Sequence, residues 1–389
     1  MFDYLIWRGD LSFGNAPLCP IDALIFSMLA YMDLRKVVPA DPGAEPVRLS
    51  DAVEKYFALP GSHLPHVTGA SNHVKLLRKL SESERFGGLR LFAAKRQVNR
   101  SENMQFGAIS VLLPGQNLFV AYQGTDDTLV GWKEDFMMSY ECPVPAQLSA
   151  VNYLNEVGAA YPMRRIFTGG HSKGGNLAVY SAAKSSGDIQ ERIVAVHNND
   201  GPGFIWDISK TPGHKRIAGR IHTVLPQTSV VGMLMEHEKH YQVVYSTYDG
   251  LYQHDGFSWQ VVGDHFIHLD GFSREGKVID ETLESWEGSL SPKQREAFAD
   301  ALYTVLTASG AKTLSDLNGD KLKSAVTMLK TYSNLDRETR QLLSGSLRAL
   351  VGSYAKNVAD DVQKNDLEPL RRKLERQRKK AEKRGAKKK

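Results

Sequence analysis

Gly170-His171-Ser172-Lys173-Gly174-Gly175 constrains this 389-residue chain more than any other stretch. It follows the strand-like run Arg-Arg-Ile-Phe-Thr and leads into Asn-Leu-Ala-Val-Tyr, which continues as helix. A serine between strand and helix sits in a sharp, strained turn, and side chains at Gly170 and Gly174 would clash there. The hydroxyl then projects from the sheet, and the N–H of Lys173 points at a developing oxyanion. A glycine-rich turn that contains a serine by chance is the bland alternative. The strand–turn–helix context and the extra Gly175 favour a nucleophile elbow.

Such an elbow needs a sheet around it, and the rest of the chain supplies one. Gly107–Leu113 and Asn117–Tyr122 flank the turn Pro114-Gly115-Gln116 and read as a hairpin. A helix over Ala146–Tyr161 precedes a strand at Arg165–Thr168, which Gly169 and Gly170 are expected to end. Further strands are expected at Arg192–His197, Ile217–Leu225 and Tyr241–Ser246. Strands alternating with helical patterns give an α/β fold with a parallel or mixed sheet. Ile21–Leu34 reads as a buried helix, and residues 41–75 as loops with a short helix. Beyond about residue 280 the texture becomes helical, with three amphipathic stripes: Phe298, Leu302, Val305 and Leu306; Leu322, Val326 and Leu329; Leu343, Leu347, Leu350 and Val351. Ser291-Pro292 and Asp336 are caps for two of these helices.

A serine needs a histidine base, and the base an orienting acid. His254, in Tyr252-Gln253-His254-Asp255-Gly256, is the leading base. His265 and His268 are rivals in a strand-like run, and His237 and His240 read as surface residues. Asp200, at the end of the strand RIVAVHNN, is the favoured acid, because the carboxyl ends of strands face the site in such sheets. Asp200-Gly201-Pro202-Gly203 is also good turn chemistry in its own right. Asp255 ranks lower, since adjacent side chains rarely point together. Thr125, after Asn117–Tyr122 and beside Gly124, is the second candidate oxyanion donor. No metal motif is present, because His237 and Glu236 lack the H-E-x-x-H order, and no cofactor is expected.

VAYQGTDD, Gly131-Trp132-Lys133-Glu134-Asp135 and GGHSKGGNLA together resemble the core of class 3 lipases, over roughly residues 105–265. The segments YLIWRGDLSF, PIDALIFSMLAYMD, NNDGPGF, LPQTSVVGMLM and QHDGFSW more closely resemble a bacterial, lipase-like family of unknown function, often labelled Mbeg-like, over most of residues 1–280. The resemblance implies an α/β-hydrolase fold and acyl transfer to water, with Ser172 attacking an ester, His254 relaying the proton, and the N–H groups of Thr125 and Lys173 holding the oxyanion. One departure stands out. Class 3 lipases place their acid just after the strand corresponding to RIHTVLP, whereas here Gln227-Thr228-Ser229-Val230-Val231 carries no carboxylate, and Ser229 stands where the aspartate is expected. The acid then comes from elsewhere, Asp200 being favoured, or the site is a weaker dyad or inactive. Gln227–Met235 lines an acyl pocket, forms a lid, or is a core helix.

Charge divides the chain. Pro369–Lys389 holds twelve Lys or Arg and two Glu, a net of +10, so the remaining 37 basic and 42 acidic residues leave −5. The tail's clustered charge suits an anionic membrane surface through lipid phosphates. It has no aromatic interleaving or groove-reading motif, which argues against nucleic acid. A solvated extension is the plain alternative. Two cysteines, Cys19 and Cys142, exclude a disulfide framework. No signal peptide or run of about 18 apolar residues is evident, so a cytoplasmic protein, peripheral to a membrane at most, is expected. The domain expectation is residues 1–280 as the hydrolase-like body, 281–365 as helices and 366–389 as the basic tail. The function expected is a serine esterase or lipase acting on an acyl ester. The alternative is an inactive α/β-hydrolase-fold binding module.

Overall fold

The computed structural model describes all residues except 62, 66, 68, 314, 315, 317–320 and 370–389. Residues 370–389 of the basic tail therefore lie outside the described residues. A nine-stranded sheet organises the chain. Its strands are β1 (Val47–Arg48), β2 (Arg90–Asn99), β3 (Met104–Leu113), β4 (Asn117–Tyr122), β5 (Arg165–His171), β6 (Ile193–Asn199), β7 (Ile221–Pro226) and β8 (Tyr241–Val244). β9 (Val261–Val262) and β10 (His265–Phe266) form a separate ribbon, and β11 (His268–Leu269) closes the main sheet beside β8. β1 to β4 run antiparallel to one another, β4 to β8 are parallel, and β11 returns antiparallel. A mixed sheet with a parallel half, flanked by helices, is the α/β architecture the sequence predicts.

Strand alternation sends side chains to two cores, one on each face. In β4, Phe119 and Ala121 join one core, while Leu118, Val120 and Tyr122 join the other. The first face is covered by the N-terminal helices, above all Pro20–Leu29, whose residues from Ile21 onward are all buried. A helix apolar on every side has to be enclosed in this way. The second face is covered by the helices Pro145–Ala160 and Lys173–Lys184.

Several expectations need correction. β5 runs through Gly169 and Gly170 as far as His171, because β4 and β6 bond the backbone on both sides regardless of side chain. Residues 217–220 are helical, not strand. Pro212 opens a short helix there, and Thr211 caps it by accepting the His214 N–H. β2 is an additional strand. Gln227–Met235 forms turns with a short 3₁₀ segment at Val231–Met233, not a core helix. Residues 41–75 hold a ten-residue helix, Leu49–Ala58, and the start of another, Ala70–Glu82. In the helix Lys321–Asn334, Val326 and Leu329 are exposed rather than buried.

The N-terminal segment is tied down by a buried ion pair. Arg85 donates from Nε and Nη2 to Asp22 at 2.9 and 2.6 Å, and from Nη1 to the carbonyls of Leu11 and Ala16. Both side chains are essentially inaccessible. Arg85→Met strands the Asp22 carboxylate and is expected to cost about 3–5 kcal/mol. A urea midpoint that hardly moves would refute this. The C-terminal helices dock on the body: Leu129 N–H donates to Lys312 O, Arg295 donates to Ser139 O, and Ser273 N–H donates to Gln227 O. Among the described residues no helix is long and apolar enough to cross a membrane.

Candidate active site

The parallel strands end in register at one edge. Tyr122 of β4 lies beside Gly170 of β5, His171 beside Asn199 of β6, and Asn199 beside Val224 of β7. The four segments leaving these strands carry Thr125, Ser172, Asp200 and Ser229. Ser172 has φ 59° and ψ −136°, the strained turn expected of an elbow. The absence of side chains is what lets the chain close here. A Cβ on Gly170 would lie 2.1 Å from Gly174, and one on Gly124 would lie 2.1 Å from the Tyr31 hydroxyl.

His254 Nδ1 donates to Asp200 Oδ2 at 2.6 Å. That fixes the tautomer of the neutral imidazole and leaves the Nε2 lone pair available as a base. Asp200 is fully buried and sits at φ 52°, where Asp is tolerated. Its other oxygen accepts from Ser229 Oγ at 2.5 Å and from the Gly232 N–H at 3.2 Å. Ser229, at the place where the resemblance led us to expect the aspartate, therefore supports a carboxylate delivered from the neighbouring strand. The turn role considered for Asp200 is taken by Asn198, which accepts the Gly201 N–H. Asp255 caps Phe257 N–H instead. His265 and His268 lie exposed on β10 and β11, and His237 bonds the Met235 carbonyl.

Among the described residues, no hydrogen bond joins Ser172 Oγ to His254. None uses the N–H of Thr125 or of Lys173 either. Unspent N–H groups are what an oxyanion site requires. The side chains beside these donors are firmly held. Thr125 Oγ1 donates to the Asp135 carboxylate at 2.6 and 2.7 Å. Lys173 Nζ is buried and donates to Gln105 Oε1 at 2.7 Å and to Glu134 Oε2 at 3.0 Å. Burial opposes the lysine's charge, but Glu134 and Asp135 outweigh it and leave its pKa raised. Burial pushes Asp135 up to about 6, against the pull of Lys173. Among the described residues, no group of three His, Cys, Asp or Glu could hold a metal ion.

Sequence reasoning did not find Tyr31. His171 Nε2 lies 2.7 Å from the His254 carbonyl, which can only accept, so Nε2 carries the proton. Burial, with His254 alongside, keeps the His171 pKa well below the ordinary value, so its Nδ1 is an acceptor. The Tyr31 hydroxyl, 3.1 Å away, donates to it. The relay Tyr31–His171–His254 O pins the base's loop to the elbow. Gln253 Oε1 and the Gln253 carbonyl anchor the same loop through Thr228 N–H and Trp259 Nε1. If this site is catalytic, Tyr31→Phe is expected to lower kcat about tenfold with KM unchanged, the loss of one buried hydrogen bond. A double variant with His171→Phe should lose little more. Additive losses would refute the relay.

A family model described as Mbeg1-like matches residues 80–304. A comparison with curated proteins finds no match. Among solved structures the chain is similar to M37 lipase, at 13% identity and TM-score 0.34, over 54% of this chain and 68% of that one. It is similar to a fungal lipase at 12% identity and TM-score 0.38, over 65% and 85% of the two chains. It is also similar to Rhizomucor miehei lipase in its propeptide complex, at 12% identity and TM-score 0.34, over 59% and 68%.

Proposed function

The chain belongs to the Mbeg1-like family, and from the geometry of its site we propose that it is a serine hydrolase of carboxylic esters. The observation that carries this reading is the Asp200–His254 hydrogen bond at the strand edge that holds the strained Ser172 elbow. Ser172 Oγ attacks the ester carbonyl carbon as its proton passes to His254 Nε2. The carbonyl electron pair moves onto oxygen, where the Thr125 and Lys173 N–H groups stabilise it. Collapse expels the alcohol, which takes the proton from His254, and leaves an acyl group on Ser172. Water repeats the sequence, with His254 again the base, and frees the acid.

Asp200 holds the imidazole in the working tautomer throughout and stabilises its charged form. Asp135 and Lys173 act through the oxyanion segments they tether. The test is covalent labelling. A fluorophosphonate should modify the folded chain at Ser172, mapped by peptide mass. A folded chain that stays unlabelled would sink this reading and leave the binding-module alternative. Recruitment of the basic tail to anionic lipid is a separate proposal, tested by salt-sensitive binding of the full chain to phosphatidylserine vesicles.

A further inference from the structure

The helix Arg337–Val362 packs on the helices Arg274–Gly288 and Pro292–Thr307. One side of it makes that contact. Leu343 is buried, the Ser346 carbonyl accepts from Trp286 Nε1, Asn357 donates to Thr282 Oγ1, and Asp361 accepts from Arg274. Another side carries Leu347, Val351, Tyr354, Val358 and Val362, each between 36% and 68% exposed. At about 100° per residue, their spacing puts all five within about 80° of one another, in a stripe about 23 Å long. No polar residue falls in that stripe between 347 and 362, and Asp360 falls on the opposite side of the helix. A contiguous row of exposed apolar side chains marks an interaction surface. We propose that this face inserts into an anionic lipid bilayer, as the apolar half of an anchor whose charged half is the basic tail. The inference rests on the tail's recruitment to lipid, proposed above, and is independent of the hydrolase reading.

The tail begins close to where the stripe ends. Arg371 follows Val362 by nine positions, and Pro369–Lys389 carries a net +10 with Leu370 and Leu374 as its only large apolar residues. Such a segment attracts lipid phosphate but has little to bury, and salt screens the attraction. Its composition does not suit it to cover an apolar stripe either. The stripe supplies what the tail lacks, and durable attachment to a bilayer takes two such signals together. A second copy of the chain fits less well. Five side chains fall short of the roughly 20–30 residues that each partner gives to a stable interface. Two tails of +10 would also repel each other. Among the described residues no helix is long and apolar enough to cross a membrane, so the stripe would lie along the bilayer surface.

The experiment is co-sedimentation of the full chain with phosphatidylcholine vesicles, with and without roughly a third phosphatidylserine, at low and high salt. The wild-type chain should bind the phosphatidylserine vesicles, more weakly as salt rises. The double variant Val351→Asp/Val358→Asp should bind them about tenfold or more weakly at either salt, because a carboxylate on each turn resists entry into the bilayer. Both positions are exposed, so its melting temperature should match the wild-type chain. In a second measurement, Tyr354→Trp should be quenched by brominated lipid beyond the quenching of the native tryptophans. That readout decides the insertion by itself if the double variant does not fold. Unchanged affinity of the folded double variant, or no added quenching in Tyr354→Trp, overturns the insertion while salt-sensitive binding leaves the tail's recruitment standing. No binding of the wild-type chain to either vesicle overturns both. A solution dimer that the double variant dissolves, with vesicle binding intact, gives the face to a second copy and also overturns the insertion.

Discussion

Ser172→Ala is expected to abolish fluorophosphonate labelling and lower kcat on a short-chain ester by about 10⁶, leaving only what the oxyanion donors and binding supply. The fold should be untouched. Ser172 Oγ has no hydrogen-bond partner among the described residues, so its removal orphans nothing. Alanine meets the same backbone cost as serine at φ 59°. The variant should therefore melt with the wild-type chain. A large loss of activity with an unchanged melting temperature assigns the effect to chemistry. Retained hydrolysis would place the nucleophile elsewhere.

Asp200→Asn is the second large effect, and kcat should fall about 10⁴. An asparagine of the same shape can turn its amide nitrogen towards His254 Nδ1 and favour the wrong tautomer. Its amide oxygen then stays on Ser229 and Gly232, which bond the other carboxylate oxygen in Asp200, so the loss is assigned to the imidazole's tautomer. Ser229→Ala removes the 2.5 Å donor to that oxygen and one of the two acceptors of the Gly232 N–H, and about a tenfold loss is expected. The order of the two losses matters. If Ser229→Ala costs as much as Asp200→Asn, the carboxylate is not the orienting group. The readout is kcat on a labelled-site-quantified sample, so that misfolded protein does not count.

The elbow is legible in the sequence because its glycines are required: a Cβ on Gly170 would lie 2.1 Å from the Gly174 backbone, and one on Gly174 would lie 2.4 Å from the Tyr122 carbonyl oxygen. The β3–β4 hairpin is legible because alternation and a Pro-Gly turn agree. Asp200 is legible as a carboxylate at a strand's end. Ser229 reads as a lost acid until β6 and β7 are seen side by side, since its meaning depends on Asp200, 29 residues away. β2 escapes because a bulge between Phe92 and Lys95, with Ala93 at φ 55°, breaks the alternation that marks a strand. Tyr31 escapes for a different reason. A tyrosine after a buried helix is ordinary core, and nothing local tells that its hydroxyl meets an imidazole 140 residues on.

That separation bears on how the molecule is made. Tyr31 and Ser27, which accepts from Asn199 across 172 positions, leave the ribosome early, while His254 emerges late. Contacts so distant along the chain form only after long loops close, and they form late in folding. Until about Trp259 has been synthesised, the loop that carries the base has nothing to seat on. A nascent or truncated chain ending earlier would hold an elbow without its partner. The helix Pro20–Leu29 is thus made long before the loop it helps to seat, so a competent centre should arise only on a nearly complete body.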